Sequence, residues 1–181
     1  QSSIKRHFRI GADSADSAPR EDGMAKLMFD MFRSFAAPLS GTKLFSWHKM
    51  LTLGRKDLRR GAYRTHAEPM QVISGPEHAP KVHFEAPPSP AMAMEMKAFI
   101  HWFNATAPGG HTPLPALTRS GLAHLYFVSI HPFEDGNGRI ARALAEKALA
   151  QHLGHPTLIA LSITLERHKK DYYSMLGKSN R

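Results

Sequence analysis

The sequence predicts a mainly helical domain carrying one β-hairpin. Three observations lead there. Apolar residues recur at spacings of three and four through most of the chain. Only one stretch sets β-prone runs on either side of Gly-Pro turn material. A length of 181 residues with 42% hydrophobic composition suffices for a single core. The division expected is a flanking segment over 1–22 and one folded domain over 23–181.

Taken in order, "IGADSADSAPRED" (10–22) is small, polar and without period, and reads as a loop. In "EDGMAKLMFDMFRSF", Met24, Leu27, Met28, Met31, Phe32 and Phe35 fall on one helical face, and a methionine stripe of this kind suits a core. A second helix spans about 42–54, with Thr42 as N-cap and Gly54 as stop. It would bury Leu44, Phe45, Met50 or Leu51 and one face of Trp47. The runs 70–73 and 81–84 form the hairpin. Pro87, Pro88 and Pro90 then break the chain, and Ser89-Pro90 opens a helix with Met92, Met96, Phe99, Ile100 and Phe103 inward. "LTRSGLAHLYFVSI" delivers Leu122, Leu125, Tyr126 and Val128 to the core and leads into His131. Beyond the next loop, Ile140, Leu144 and Ala148 share a face of a helix that stops at Gly154, ahead of Pro156. "LERHKKDYYSMLGKSNR" is a shorter amphipathic helix.

Composition narrows the function classes. No apolar run approaches the roughly 20 residues that cross a bilayer, and "QSSIKRHFRI" lacks the apolar centre of a signal peptide. The absence of cysteine excludes a disulfide framework and thiolate metal ligands, which fits a reducing interior, with cytoplasm the expected compartment. A net charge of +9 favours an anionic substrate or polyanion, and Arg55, Lys56, Arg59, Arg60 and Arg64 form one basic block. A solvated basic surface explains the same charge.

The chemistry concentrates in "HPFEDGNGRIAR" (131–142). Pro132, Gly136 and Gly138 are poor helix formers, yet a strong helix follows, so this loop feeds a helix N-terminus whose N–H groups attract anions. Gly136 and Gly138 let the backbone approach a phosphate oxygen, and Asn137 adds an amide donor. Arg139 and Arg142 project from one face and suit a di- or triphosphate. Asp135 could supply an oxygen to Mg²⁺, and His131 is a natural general base. A zinc site from His124, His131 and Glu134 is the competing metal reading, but it leaves both arginines and the glycines unexplained. His124 reads instead as a hydrogen-bonded core histidine, and Glu146 could pair with Arg142 four residues earlier.

The loop resembles the signature of the Fic family, HxFx[DE]GNGRxxR, with His131, Phe133, Asp135, Gly136, Asn137, Gly138, Arg139 and Arg142 all in place. The order of "GAYRTH", the hairpin, "FIHWFN" and "LAHLYFVSIHPF" extends the resemblance over about 40–181. The resemblance implies a helical Fic fold and protein adenylyltransferase (AMPylation) activity, moving AMP from Mg-ATP to a Ser, Thr or Tyr hydroxyl of a target protein. His131 would deprotonate that hydroxyl, Asp135 would hold Mg²⁺, and Phe133 would anchor the loop. Gly136, Asn137 and Gly138 would form the anion hole, with Asn137 steadying the α-phosphate, and Arg139 and Arg142 would bind the outer phosphates. Val72, Ile73 and Ser74 would belong to a flap that pairs with an extended target segment. Tyr173 and Asn180 would line the nucleoside pocket, although Tyr172 and Tyr173 also suit core packing.

Many members carry an inhibitory helix, [ST]xxxE[GN], whose Glu pairs with the second arginine of the motif. Ser17 to Glu21 and Ser162 to Glu166 have that spacing, but Asp22 and Arg167 stand where Gly or Asn is required, and the first lies in apparent loop. "QSSIKRHF" resembles the segment that follows such a helix, which implies an inhibitor upstream of residue 1. Removal of AMP from a modified protein, or transfer of another nucleotide or phospho-group, is the alternative on the same fold. A basic nucleic-acid-binding module is the alternative outside enzymes, and it accounts for charge but not for the loop. A homodimer is compatible with all of these.

Overall fold

Two long helices joined by the 131–136 loop form the centre of the protein. The computed structural model describes residues 17–74 and 81–157, with His168, Asp171 and Met175 beyond them. Helices α1 (Ser17–Arg33) and α2 (Gly41–Leu51) come first, then strands β1 (Gln71–Ser74) and β2 (Lys81–Glu85). A short 3-10 turn, Ser89–Ala91, leads into α3 (Met92–Ala105), α4 (Ala116–Ile130) and α5 (Asn137–Leu153). The fold is mainly helical, as expected, and among the described residues no helix is long and apolar enough to cross a membrane.

The core gathers one stripe from each helix: Leu27 and Met31 of α1, Leu44, Trp47 and Leu51 of α2, Met96, Phe99 and Phe103 of α3, Ala123 and Phe127 of α4, and Ile140, Leu144 and Ala148 of α5. Each side chain is removed from water, worth roughly 1.5–3 kcal/mol for a large apolar group. Helix α5 is the most enclosed and rich in alanine along its buried length, which lets its neighbours approach closely. It ends where Gly154, at φ +74°, donates its N–H to the Ala150 carbonyl (3.0 Å).

Three local readings are corrected. Helix α1 begins at Ser17, inside the stretch read as loop. That stretch is polar, so apolar period could not reveal it. Pro19 is tolerated in a first turn, where N–H groups lack intrahelical partners, and Asp22 pairs with Lys26 one turn on (2.6 Å). Ser17 to Glu21 is therefore helical rather than loop. In α2 the cap is Ser40, whose Oγ accepts from the Lys43 N–H (3.2 Å), and Thr42 lies within the helix. The helix ends at Leu51, three residues ahead of Gly54.

The third correction concerns α4. Its buried face is Arg119, Ser120, Ala123, His124, Phe127 and Ile130, whereas Leu122 is 40% exposed. Leu125 is half-buried, and Tyr126 and Val128 are partly buried against the core. The apolar pattern was misphased by one residue because polar groups occupy the inner face. Ser120 Oγ donates to the Ala145 carbonyl (3.0 Å). Arg119 donates to the Phe103 carbonyl (2.7 Å), the Ala148 carbonyl (3.3 Å), Thr106 Oγ1 (3.2 Å) and Gln151 Oε1 (2.8 Å), with its guanidinium 4.4 Å from the Phe103 ring centre. A second buried cation, Lys147 of α5, donates to the Ser34, Phe35 and Ala37 carbonyls at 2.7–2.8 Å, fastening α5 to the turn after α1. Burial pulls its ammonium down to about 8, so it stays largely protonated at neutral pH.

Strands β1 and β2 pair antiparallel in the register Gln71↔Glu85, Val72↔Phe84, Ile73↔Val82 and Ser74↔Lys81, with a shift between Val72 and Ile73. The base is closed by the Ala86 N–H on the Met70 carbonyl (2.9 Å) and by Gln71 Nε2 on Glu85 Oε2 (2.7 Å). Most of the final amphipathic helix read from the sequence, including Tyr172, Tyr173 and Asn180, lies outside the described residues.

Candidate active site

Helix α4 stops at Ile130, and His131 turns the chain with φ +50° and ψ 57°. Among the described residues it is the non-glycine residue with positive φ, a conformation costing about 1–2 kcal/mol that persists where neighbours enforce it. The backbone N–H of His131 donates to the Phe127 carbonyl (3.1 Å). Its ring Nδ1 lies 3.2 Å from the Val128 carbonyl, which can only accept, so Nδ1 carries the hydrogen and Nε2 keeps its lone pair. Burial pulls the imidazole below its ordinary value and the charge of Arg64 adds to this, against the Val128 carbonyl and Asp135. The ring is neutral at pH 7 with a basic nitrogen available.

Arg64 is the neighbour that sequence reasoning misplaced. Read as part of a solvated basic block, it is instead 1% exposed. Its Nε donates to the His131 carbonyl (2.8 Å), and its terminal nitrogens reach Ser89 Oγ (2.8 Å), the Ile130 carbonyl (3.4 Å) and the Pro87 carbonyl. Its backbone N–H donates to the Pro132 carbonyl (2.9 Å).

The loop is anchored by Phe133, fully buried as expected and stacked on His48 with centroids 4.2 Å apart and planes 11° from parallel. His48 Nδ1 accepts from the Gly61 N–H (2.9 Å), which places its hydrogen on Nε2, and burial pulls this ring down as well. Its position one turn after Leu44 on the inner face of α2 could have marked it.

Asn137 differs from its expected role. Its Oδ1 accepts from the Phe133 N–H (3.0 Å) and its Nδ2 donates to the Phe133 carbonyl (2.7 Å), with the residue 2% exposed. The amide braces the loop, so what Asn137 offers an anion is its backbone N–H.

Gly136 precedes α5 at φ +84°, which a side chain would strain, and no side chain caps the helix. The Gly136 N–H donates to Asp135 Oδ1 (2.6 Å), while the Arg139 and Ile140 N–H groups turn back to the Gly136 carbonyl. The first turn of α5 holds no acid, and Asp135, just ahead of it, is the carboxylate that faces its N-terminal partial charge. Arg139 and Arg142 stand one turn apart behind it, and Arg142 Nη1 would lie 3.7 Å from a β-carbon at Gly138. Asp135 sits between two cations, Oδ1 to Arg139 at 3.3 Å and Oδ2 to Arg55 at 3.3 Å. Burial raises its carboxyl, but Arg139, the Gly136 N–H and Arg55 together bring it below the ordinary value and keep it ionised. Arg55, also paired with Asp57 (2.6 Å), is a further site residue that composition showed only as one of a charge block. Glu134 accepts from the Arg59 N–H (3.1 Å), and among the described residues no three His, Asp or Glu side chains come together as a metal site.

One loop thus brings together His131, Asp135, Gly136, Asn137, Gly138, Arg139 and Arg142. Val72, Ile73 and Ser74 lie on β1, whereas Tyr173 and Asn180 fall outside the described residues.

Among solved structures, a Fic domain containing signaling protein from Bacteroides thetaiotaomicron superposes with a TM-score of 0.76 at 19% identity, covering 96% of this chain and 61% of that one. Fic-1 from C. elegans gives 0.65 at 20% identity, over 98% of this chain and 48% of the other. By sequence, the protein adenylyltransferase Fic of Drosophila grimshawi is 35% identical over 95 residues, 52% of this chain. That of Nematostella vectensis is 33% identical over 116 residues, 64% of this chain. The chain spans 18% and 25% of the lengths of those two relatives. The family model described as Fic/DOC matches residues 38–149, more than half of the chain, with the 131–142 loop inside it, and the chain belongs to that family.

Proposed function

We propose that this domain transfers AMP from ATP to a Ser, Thr or Tyr hydroxyl of a target protein. The observation that carries the reading is the short 131–136 loop that joins a neutral His131, at the end of α4, to the N-terminus of α5, which no side chain caps, with Arg139 and Arg142 behind it. The names of the relatives, protein adenylyltransferase Fic, point the same way.

In this reading His131 Nε2 accepts the proton of the hydroxyl as its oxygen attacks the α-phosphorus. The bond to the β-phosphate oxygen breaks, and pyrophosphate leaves with that electron pair. Backbone N–H groups at Gly138 and Asn137 and the two guanidinium groups hold the phosphates and stabilise charge on the leaving group. Asp135 fits Mg²⁺, which binds through one or two carboxylates and completes its shell with phosphates and water. The ion would neutralise phosphate charge, and Asp135 would have to exchange its contacts with Arg55 and Arg139 for it. The edge of β1, which no other strand covers among the described residues, would pair with an extended target segment, placing its hydroxyl. Cytoplasm remains the expected compartment.

The nucleic-acid alternative is weakened by where the basic block goes. Arg64 is buried and Arg55 faces Asp135 and Asp57, so of the five residues only Lys56, Arg59 and Arg60 stay exposed. The test is incubation with Mg²⁺, α-labelled ATP and lysate beside His131→Ala. Protein bands labelled by the wild type alone, and not from γ-labelled ATP, are expected. Equal labelling by both proteins overturns the role of His131, and γ-label in protein that the wild type adds and His131→Ala does not overturns the reaction type.

A further inference from the structure

Arg64 binds the site from behind, and its contacts fall on two structures that must cooperate. On one side are the Ile130 and His131 carbonyls, at the end of α4. On the other are the Pro87 carbonyl and Ser89 Oγ, directly after β2 and the hairpin closure between Ala86 and Met70. Ser89 Oγ passes the link on by donating to the His66 carbonyl (2.7 Å), on the segment that leads into β1. The chain leaving β2 and the residue that turns into the loop therefore meet on one buried guanidinium, and the segment ahead of β1 is joined to it through Ser89.

We infer that Arg64 is a positioning residue, fixing the spacing between the base of the hairpin and His131 so that a hydroxyl delivered along β1 meets the imidazole. Capping α4 alone would not need an arginine. A lysine can satisfy helix-end carbonyls, as Lys147 does after α1, but its point charge cannot serve two sides through a planar fork. Among the described residues Arg64 has no carboxylate partner, burial is then costly for a cation, and four hydrogen bonds to oxygens on both sides offset that cost only while the two sides stay together. The same charge lies beside His131, whose other facing groups are Asp135 and the Val128 carbonyl, so the positioning contact also favours the neutral ring.

The inference rests on the adenylyl-transfer reading and on β1 as the target-binding edge. Its test compares wild type, Arg64→Lys and Arg64→Met by three measurements: label transfer from α-labelled ATP to lysate proteins, the Kd for ATP alone, and amide hydrogen exchange. In Arg64→Lys, transfer should fall about 100-fold, the cost of a reacting group displaced by about an ångström, with the Kd for ATP within about twofold of wild type. Exchange at the Ala86 and His131 N–H groups should quicken together, roughly tenfold, while the amides of α1 and the body of α5 hold. Arg64→Met should repeat the pattern more strongly, and if it does not fold, Arg64→Lys decides. Wild-type transfer in Arg64→Lys, parallel losses of transfer and ATP binding, or faster exchange on one side only would overturn the inference. If the wild type transfers no label, it is the adenylyl-transfer reading that fails, and the exchange arm still decides whether Arg64 couples the two sides.

Discussion

The two ends of α4 use the same chemical device for different purposes. In its first turn Arg119 is fully buried and donates to carbonyls at the end of α3 and on α5. Beyond its last turn Arg64, equally buried, donates to carbonyls of Ile130, His131 and Pro87. Each guanidinium satisfies backbone acceptors that a helix end leaves open. Arg119 ties α3, α4 and α5 together about 18 Å along the helix from His131, and burial draws its guanidinium down to about 10, still charged at neutral pH. Arg64 touches the loop itself. A buried cation at one end therefore serves the fold, and its counterpart at the other serves the site, so stability and activity should separate along one helix.

The largest effect that would break this separation lies at the site end. His131→Ala should lower α-label transfer by about 10²–10⁴-fold, the usual share of a general base, at a cost of only about 1 kcal/mol in urea unfolding. A large loss of stability would mean that His131 belongs to the fold as Arg119 does. At the far end, Arg119→Met should cost about 3 kcal/mol in the same measurement by removing the buried donor shared by the Phe103 and Ala148 carbonyls, Thr106 Oγ1 and Gln151 Oε1. Transfer per folded molecule should stay within about twofold of wild type, and a selective drop in turnover would erase the contrast.

Midway along α4, His124 sharpens the comparison through pH. Burial, aided by Arg142, pulls it down to about 4, against an ordinary value of 6.5. The unfolded chain therefore takes up a proton at 124 before the folded one does, so stability is full above 6.5 and falls as pH drops toward 4. By pH 5 the loss should reach about 2 kcal/mol. His48 and His131, also shifted down, act in the same direction. Urea unfolding at pH 7.5 and 5.0 reads the total, and His124→Gln should flatten it; an unchanged slope would place the acid sensitivity elsewhere. The smallest effect is on the outer face, where Leu122→Gln should shift stability by less than about 0.5 kcal/mol. A loss of 2 kcal/mol or more would restore the apolar phase read from the sequence.

Legibility followed contiguity. The 131–142 loop could be read residue by residue because the groups that act together are adjacent in the chain, and the hairpin was visible because its turn chemistry is local. What escaped depended on partners far away in sequence. Arg64 and Arg119 look like surface charges until the oxygens that receive them are known, and those lie 13 to 67 positions off. Polar groups on the inner face of α4 defeated a pattern that counts apolar residues as buried. The amide of Asn137 was given to a ligand because no sequence rule says that it turns back to Phe133. The first turns of α1 stayed hidden because charge pairing, rather than an apolar stripe, marks them.

The left-handed backbone at position 131 has a practical consequence for testing whether the proposed reaction has a protein acceptor. Besides glycine, asparagine is among the residues that tolerate this conformation most readily, whereas alanine relaxes toward other shapes. An asparagine there would keep the turn yet accept no proton, so His131→Asn is the better inert decoy for capturing a bound client.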